Sequence, residues 1–439
     1  MSRTVAFHTL GCKVNQYDSQ AMLELFRASG YHAVPFSDDA DVYVINTCTV
    51  TGVGDKKSLQ AARRIRREHP KSALVLCGCL AQRKGAKLME ELGARLVIGT
   101  QHRAQIVNLL EQALRENRNI VAVEPLGSDI PYEPLWIASQ EDHTRAVMKI
   151  QEGCNNHCTY CIIPSVRGPI RSRSLHDIRQ EAEALSEAGF KEIVLTGIHL
   201  TSYGRDLNGL QLLDAIRCVH EIIGITRIRL GSLEPTVADE TFTQALLQLP
   251  KVCPQFHLAL QSGCDTVLQR MARRYNMRMY MDAVHAIRSA FPLAALTTDI
   301  LTGFPGETDD EHQITCDTIR QIGFARIHVF PYSPREGTKA AVMPGQLSRE
   351  VKERRVRELI AIGEEISRQY RTQWLGKSAG VLLEQKDSDG WHGYTETYIP
   401  VTVKSEQLTS GECIRVRLDS LTSVGMTGTP ISNDDSKTN

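Results

Sequence analysis

Twice along this chain of 439 residues, short apolar runs rich in β-branched residues alternate with helix-spaced segments, and no other feature restricts the fold as much. In the first stretch "RTVAFHTL", "DVYVINT", "SALVLCG" and "ARLVIG" are separated by "NQYDSQAMLELFRASG", "GDKKSLQAARRIRREHP" and "RKGAKLMEEL". Strands joined through helices pair in parallel and bury both sheet faces, so a doubly wound α/β domain is predicted over residues 1–118. Residues 119–144 are richer in Pro and acidic residues, lack periodicity and read as a linker.

Alternation resumes at residue 145 with six strand candidates, "RAVMKI", "EIVLTG", "TRIRLG", "QFHLALQ", "AALTTDIL" and "ARIHVFP". Six βα units fall short of a closed eight-stranded barrel, so residues 145–371 are predicted to form an open, partial (β/α)6 barrel. Thr308 stands three residues before Glu311, which marks a helix start as a capping box. Beyond a polar helix over 348–371, "AGVLLEQ", "YTETYIPVTV" and "ECIRVRLDSL" are broken by Gly, Asp and Ser and read as a small β-barrel over 372–434. The tail, 435–439, is expected to be disordered.

Lys+Arg and Asp+Glu both number 51, so any nucleic-acid contact must rest on local patches. No apolar run is long enough to span a bilayer, and the N-terminus reads as a strand, not a signal peptide. A cytoplasmic protein without a membrane partner is expected. In that reducing setting twelve cysteines with short spacings point to metal, not disulfides.

"RAVMKI" runs directly into "QEGCNNHCTYC", which puts Cys154, Cys158 and Cys161 at the carboxyl end of the first barrel strand, where barrel enzymes place their chemistry. Three thiolates on a 4Fe–4S cube leave one iron open to another ligand. The rival reading is a zinc ion completed by His157 or a further cysteine. Cys12, Cys48 and Cys79 each follow a strand of the first domain and should converge on the carboxyl edge of its sheet. They suit a second three-thiolate cluster. The bland alternative is ordinary buried cysteines. Cys77 could also replace Cys79, or join the other three around zinc. Cys218, Cys253, Cys264, Cys316 and Cys413 stand singly and read as structural.

CxxxCxxC with an aromatic at Tyr160 resembles the radical S-adenosylmethionine (SAM) superfamily, in which the open iron chelates SAM and the aromatic contacts adenine. "LGCKVNQYDS", "NTCTV", "GCLAQ", the CxxxCxxC and "GFPGET", in this order, resemble the methylthiotransferase family of radical SAM enzymes, over nearly the whole chain. "IQEGCNNHCTYCIIPSVRGPIRSRS" looks most like the branch acting on N6-threonylcarbamoyladenosine at position 37 of tRNA. The resemblance implies two 4Fe–4S clusters, on Cys12, Cys48 and Cys79 and on Cys154, Cys158 and Cys161, with a TRAM-like C-terminal barrel. It also implies two SAM molecules per turnover: one gives a methyl group to sulfur on the auxiliary cluster, the other the radical that takes hydrogen from adenine carbon 2. The implied partners are tRNA, an electron donor such as a flavodoxin or ferredoxin, and a sulfur donor that the sequence does not identify.

Strand-end polar residues Arg229, Ser232, Glu234, Gln261 and Asp299 are the SAM-contacting candidates, each of which could equally be a fold-stabilising hydrogen bonder; Gly303 and Gly306 suit a tight turn. Arg167, Arg171 and Arg173, just past the cysteines, are the candidates for RNA phosphate contacts. The basic helix around "RRIRRE" and a turn with Trp391, His392 and Tyr394 exposed are weaker ones. The competing functions are the same chemistry on N6-isopentenyladenosine or on a ribosomal protein aspartate, or a non-catalytic iron–sulfur or zinc RNA-binding regulator. No nucleotide-binding GxGxxG, Walker loop, HExxH or GxSxG motif follows a suitable strand.

Overall fold

A computed structural model of the chain describes residues 3–137, 144–405 and 407–431, so the expectation for the tail lies outside the described residues. The first domain runs β1 (Thr4–Thr9), α1 (Lys13–Ala28), β2 (His32–Ala33), β3 (Val42–Thr47), α2 (Gly52–Glu68), β4 (Ala73–Gly78), α3 (Cys79–Lys84), α4 (Ala86–Leu92), β5 (Leu96–Ile98), α5 (Ile106–Arg115) and β6 (Ile120–Ala122). Its strands form one parallel sheet in the order β2-β1-β3-β4-β5-β6. All six residues of β3 are buried, as a central strand covered on both faces requires. The chain reverses direction across the sheet between β1 and β3, the position at which open α/β sheets leave a crevice at their carboxyl edge.

Two expectations shift here. The helix read into "RKGAKLMEEL" is two helices, broken at Gly85. The linker reading of 119–144 gives way to packed structure. Residues 120–122 pair with β5 as the sheet's last strand. Further on, Leu135 and Ile137 bury against Tyr17 and Ala21 of α1, and Tyr132 donates to the Lys149 carbonyl at 2.7 Å. A strap of this kind carries few periodic apolar residues because only its occasional side chains reach the core.

The second domain contains β7 (Arg145–Glu152), α6 (Ile163–Arg167), β8 (Arg171–Ser172), α7 (Leu175–Glu187), β9 (Glu192–Gly197), α8 (Leu212–His220), β10 (Arg227–Leu230), β11 (Ser232–Leu233), α9 (Glu240–Leu247) and β12 (Gln255–Leu258). It continues through α10 (Asp265–Arg270), α11 (Met277–Ala290), β13 (Ala295–Thr302), α12 (Asp309–Ile322), β14 (Arg326–Pro331) and α13 (Arg349–Thr372). The six anticipated strands are present as two four-stranded sheets, β10-β9-β7-β8 and β11-β12-β13-β14. Only Gly231 separates β10 from β11, and its N–H still bonds the Leu195 carbonyl at 2.8 Å, so the two sheets are halves of one curved parallel wall. β8 adds an antiparallel edge beside β7. Alternate residues Ala146, Met148 and Ile150, Ile193 and Leu195, and Ile228 and Leu230 pack outward against the helices, which turns their polar neighbours toward the concave side. The capping box of Thr308 and Glu311 opens α12 as expected.

The C-terminal domain is a closed five-stranded barrel of β15 (Ser378–Asp387), β16 (Gly390–Thr395), β17 (Pro400–Val403), β18 (Cys413–Leu421) and β19 (Met426–Pro430), in the order β15-β16-β17-β19-β18. "YTETYIPVTV" holds parts of two strands, split by a turn in which Tyr398 has φ +66°. Ala295 and Tyr370 join the barrel's apolar core, which seats it on the second domain. No helix among the described residues is long and apolar enough to cross a membrane.

Candidate active site between two cysteine trios

Cys12 is the residue before α1, Cys48 follows β3, and Cys79 opens α3 directly after β4, so topology alone brings all three to the crevice of the first sheet. Gly78 makes the last turn possible: with φ +89°, a Cβ there would lie 2.3 Å from Asn46 Oδ1 and 2.6 Å from the Thr47 carbonyl. A Cβ on Gly11 would stand 3.1 Å from Cys48 Sγ, so the absent side chain leaves that sulfur room. Cys48 and Cys79 are buried and Cys12 is exposed. Burial raises the Cys48 thiol and pushes Cys79 up to about 11, while the neighbouring Arg167 guanidinium pulls Cys79 back toward the thiolate. Cys77 is fully buried on the other side of β4, within an apolar cluster, and does not share this crevice.

Cys154, Cys158 and Cys161 lie on the loop after β7, all partly exposed. The loop is pinned by backbone bonds from Cys154 N–H to Gly168 O at 3.0 Å and from Thr159 N–H to Met271 O at 3.0 Å. Burial pushes Cys161 up to about 12. Arg273, which no sequence motif marks, donates from Nη1 to Cys158 Sγ at 3.2 Å and from Nη2 to Glu234 at 2.8 Å. Glu234 also meets His199 at 3.0 Å and Asn156 at 3.2 Å; burial would raise its carboxyl, but these partners hold it below the ordinary range.

Among the described residues, neither trio brings its three sulfurs within 4.8 Å of one another. The donor set is three thiolates in each trio, which is what a 4Fe–4S cube with one open iron takes. Only His312, Cys316 and Glu358 approach that closely among the described residues, and His312 and Glu358 are already joined at 3.0 Å.

The two trios are tied together. Ile162, which caps α6, and Val166 within it pack onto Cys79. Arg167 at the end of α6 donates from Nε to Cys79 Sγ at 3.2 Å and from Nη1 to Glu152 and Asp18 at 3.1 Å. Asp18 also takes Lys149 at 2.5 Å and Arg103, which reaches Glu133 at 2.8 Å. Burial alone would raise the carboxyls of Asp18 and Glu152, but these cations hold both well below the usual range. With Arg171 the network has four cations against three carboxylates, and among the described residues Arg171 Nη1 is buried without a hydrogen-bond partner.

Several expectations therefore change, or meet a different environment. Arg167, Arg171 and Arg173 are all buried; Arg173 pairs with Glu181 and stacks on Trp136, so none of the three faces solvent as an RNA contact would. They are drawn inward because the domain interface holds buried carboxylates that must be compensated. Arg229 does not reach toward the cysteines. It pairs with Glu192 at 2.7 Å and bonds the Glu396 carbonyl of the C-terminal barrel at 2.9 Å. Trp391 is buried on the inward register of β16, whereas His392 and Tyr394, on the outward one, stay half-exposed. On α2, Arg63, Arg64 and Arg67 are exposed, with Arg64 and Arg67 both engaging Glu68.

Tyr160 packs edge-on against Phe304, Ser232 is exposed, and Asp299 lies 3.5 Å from His257 on the concave side. Gln261 sits at φ +66°, a strained backbone for a non-glycine residue, and exchanges backbone bonds with Asp299 and Leu301. The "GFPGE" turn is clasped by Glu307, which accepts from the backbone N–H of Gly303 and Phe304 and pairs with Arg355 at 3.0 Å. Lys149 and Glu152 carried a legible signal, since charged residues three apart in an apolar central strand demand partners. Arg273 carried none.

Beside Cys12 a cavity of about 920 Å³ opens between all three domains, lined among others by Lys13, Arg145, Val147, Val194 and Tyr398. Residues 4–99 match the family model "Uncharacterized protein family UPF0004" and residues 148–319 match "Radical SAM superfamily". A relative from Bacillus subtilis, "Threonylcarbamoyladenosine tRNA methylthiotransferase MtaB", is 40% identical, with 94% of this chain and 93% of that protein covered. A "tRNA-2-methylthio-N(6)-dimethylallyladenosine synthase" from Sulfurihydrogenibium is 31% identical, with 97% and 99% covered. The fold resembles that of TsrM, a radical SAM methyltransferase of Kitasatospora setae, at TM-score 0.59 and 15% identity, over 78% of this chain and 77% of that one. Superfamily membership brings a 4Fe–4S cluster and SAM with it, and identity at this level over nearly the full length settles the kinship: the chain belongs to the radical SAM methylthiotransferases, in the family of the MtaB proteins.

Proposed function

We propose that this protein adds a methylthio group to carbon 2 of N6-threonylcarbamoyladenosine at position 37 of tRNA, in the cytoplasm, using two 4Fe–4S clusters and two SAM molecules per turnover. The observation that carries the reading is the direct tie between the two cysteine trios through α6 and the Arg167–Cys79 contact. It is supported by the 40% identity to a relative named for this modification.

In this reading Cys154, Cys158 and Cys161 hold the SAM-binding cluster, and Cys12, Cys48 and Cys79 hold the auxiliary one. The bound groups supply the one-electron and radical chemistry that an unactivated ring C–H requires and that acid–base side chains cannot provide. The chain's own residues bind and orient. Arg273 fixes the Cys158 sulfur and Glu234 on the same side of the concave wall. Tyr160, Ser232, Glu234, Gln261 and Asp299 border the space for SAM. Arg167 holds the Cys79 sulfur in place from the opposite domain. A flavodoxin or ferredoxin provides electrons.

Mass spectrometry of tRNA nucleosides from cells lacking this gene tests the assignment. Methylthio-threonylcarbamoyladenosine should vanish and its unmethylthiolated precursor accumulate. Intact methylthio-threonylcarbamoyladenosine in those cells would sink it.

A further inference from the structure

The cavity beside Cys12 has an unbalanced charge. Its lining carries two cations, Lys13 and Arg145, against one carboxylate, Glu384. Arg145 meets Glu384 at 2.7 Å. Lys13 is left over: among the described residues it makes no ion pair and no side-chain hydrogen bond, and its side chain is open to the cavity.

Tyr394 and Tyr398 stack with centroids 4.7 Å apart, and the Arg145 guanidinium lies 4.9 Å from each ring. Tyr398 lines the cavity itself, and Lys13 adjoins Cys12 in the chain, so an anion held by Lys13 sits beside the first trio.

We propose that Lys13, backed by Arg145, is the subsite for the substrate's threonyl carboxylate and sets the preference for an N6-threonylcarbamoyl base over an uncharged N6-alkyl one. This rests on the function proposed above. An alkyl group entering the cavity leaves Lys13 uncompensated, so the same residue that attracts the acid rejects the neutral analogue.

The test compares reconstituted holoenzyme binding to two anticodon stem-loops, one with N6-threonylcarbamoyladenosine at position 37 and one with its neutral threonine-amide analogue. Anisotropy should show the acid bound about 10- to 100-fold more tightly by the wild type, the range of a hydrogen bond to a charged group. Lys13→Met and Lys13→Gln should bring the ratio near one at unchanged iron content, and Lys13→Arg should keep it. A wild type without acid preference, or Lys13 variants that retain it in full, overturns the inference while leaving the proposed function standing. A wild type that methylthiolates no threonylcarbamoyl stem-loop overturns both.

Discussion

Arg167 donates from Nε to Cys79 Sγ at 3.2 Å, from a helix that begins two residues after Cys161, so one side chain couples the loop of one trio to the buried sulfur of the other. Removing it leaves two buried carboxylates, Asp18 and Glu152, with one fewer cation and the Cys79 sulfur without its donor. Arg167→Ala should destabilise the protein by about 3–5 kcal/mol. Iron after anaerobic reconstitution should fall from about eight toward about four per chain. Arg167→Lys should rescue little, since an ammonium cannot reach Cys79 and Glu152 in one fork. Urea denaturation and iron analysis read both effects.

Arg273 is the corresponding residue of the second trio. Outer partners of metal ligands typically affect affinity or activity by about 10–100-fold. Arg273→Ala should reduce reductive SAM cleavage by that factor while about four irons stay in the first domain. Chromatography of 5′-deoxyadenosine and iron content separate this from general unfolding.

The network around Asp18 carries a pH signature. Its carboxyl lies below its ordinary value near 4 in the folded state, so below that value the unfolded chain binds more protons than the native one. The stability it contributes is therefore complete above about pH 4 and lost as pH falls further. Asp18→Asn should be less stable at pH 7, with a gap from wild type that narrows between pH 5 and pH 3. Thermal melts across that range check the slope.

Arg229 anchors the C-terminal barrel rather than SAM. Arg229→Ala leaves Glu192 buried with one fewer cation and should cost about 3–5 kcal/mol. Proteolysis should then release the region after α13 faster, while SAM affinity, read by equilibrium dialysis, stays within about twofold, as expected when no direct contact is removed. A loss of SAM affinity without faster cleavage would contradict the assignment.

The sequence disclosed most where a pattern repeats. "VYVIN" could only be a buried parallel strand, and strand-end cysteines in an α/β sheet could only meet at its edge. The six strands of the second domain were legible for the same reason, and so was their failure to make eight. Short segments that borrow their order from neighbours were not legible: 120–122 pairs with β5, and 130–137 packs on α1. Polar side chains were harder still. Arg167, Arg171 and Arg229 look like solvent-seeking cations, and only the folded arrangement reveals the carboxylates that hold them inside. β19 escaped notice because "MTGTP" is too poor in apolar residues to announce a strand.

The strap at Leu135 and Ile137 and the charges at Asp18, Arg103, Lys149, Glu152 and Arg167 all cross the same boundary. Two family models divide the sequence there, yet the halves are not separable pieces. A fragment ending before β7 would carry Asp18 and Arg103 to its surface without Lys149 or Arg167, and Cys79 without the helix that shields it. The protein is modular as text and indivisible as an object, so grafting the first domain onto another barrel would have to transplant the whole seam.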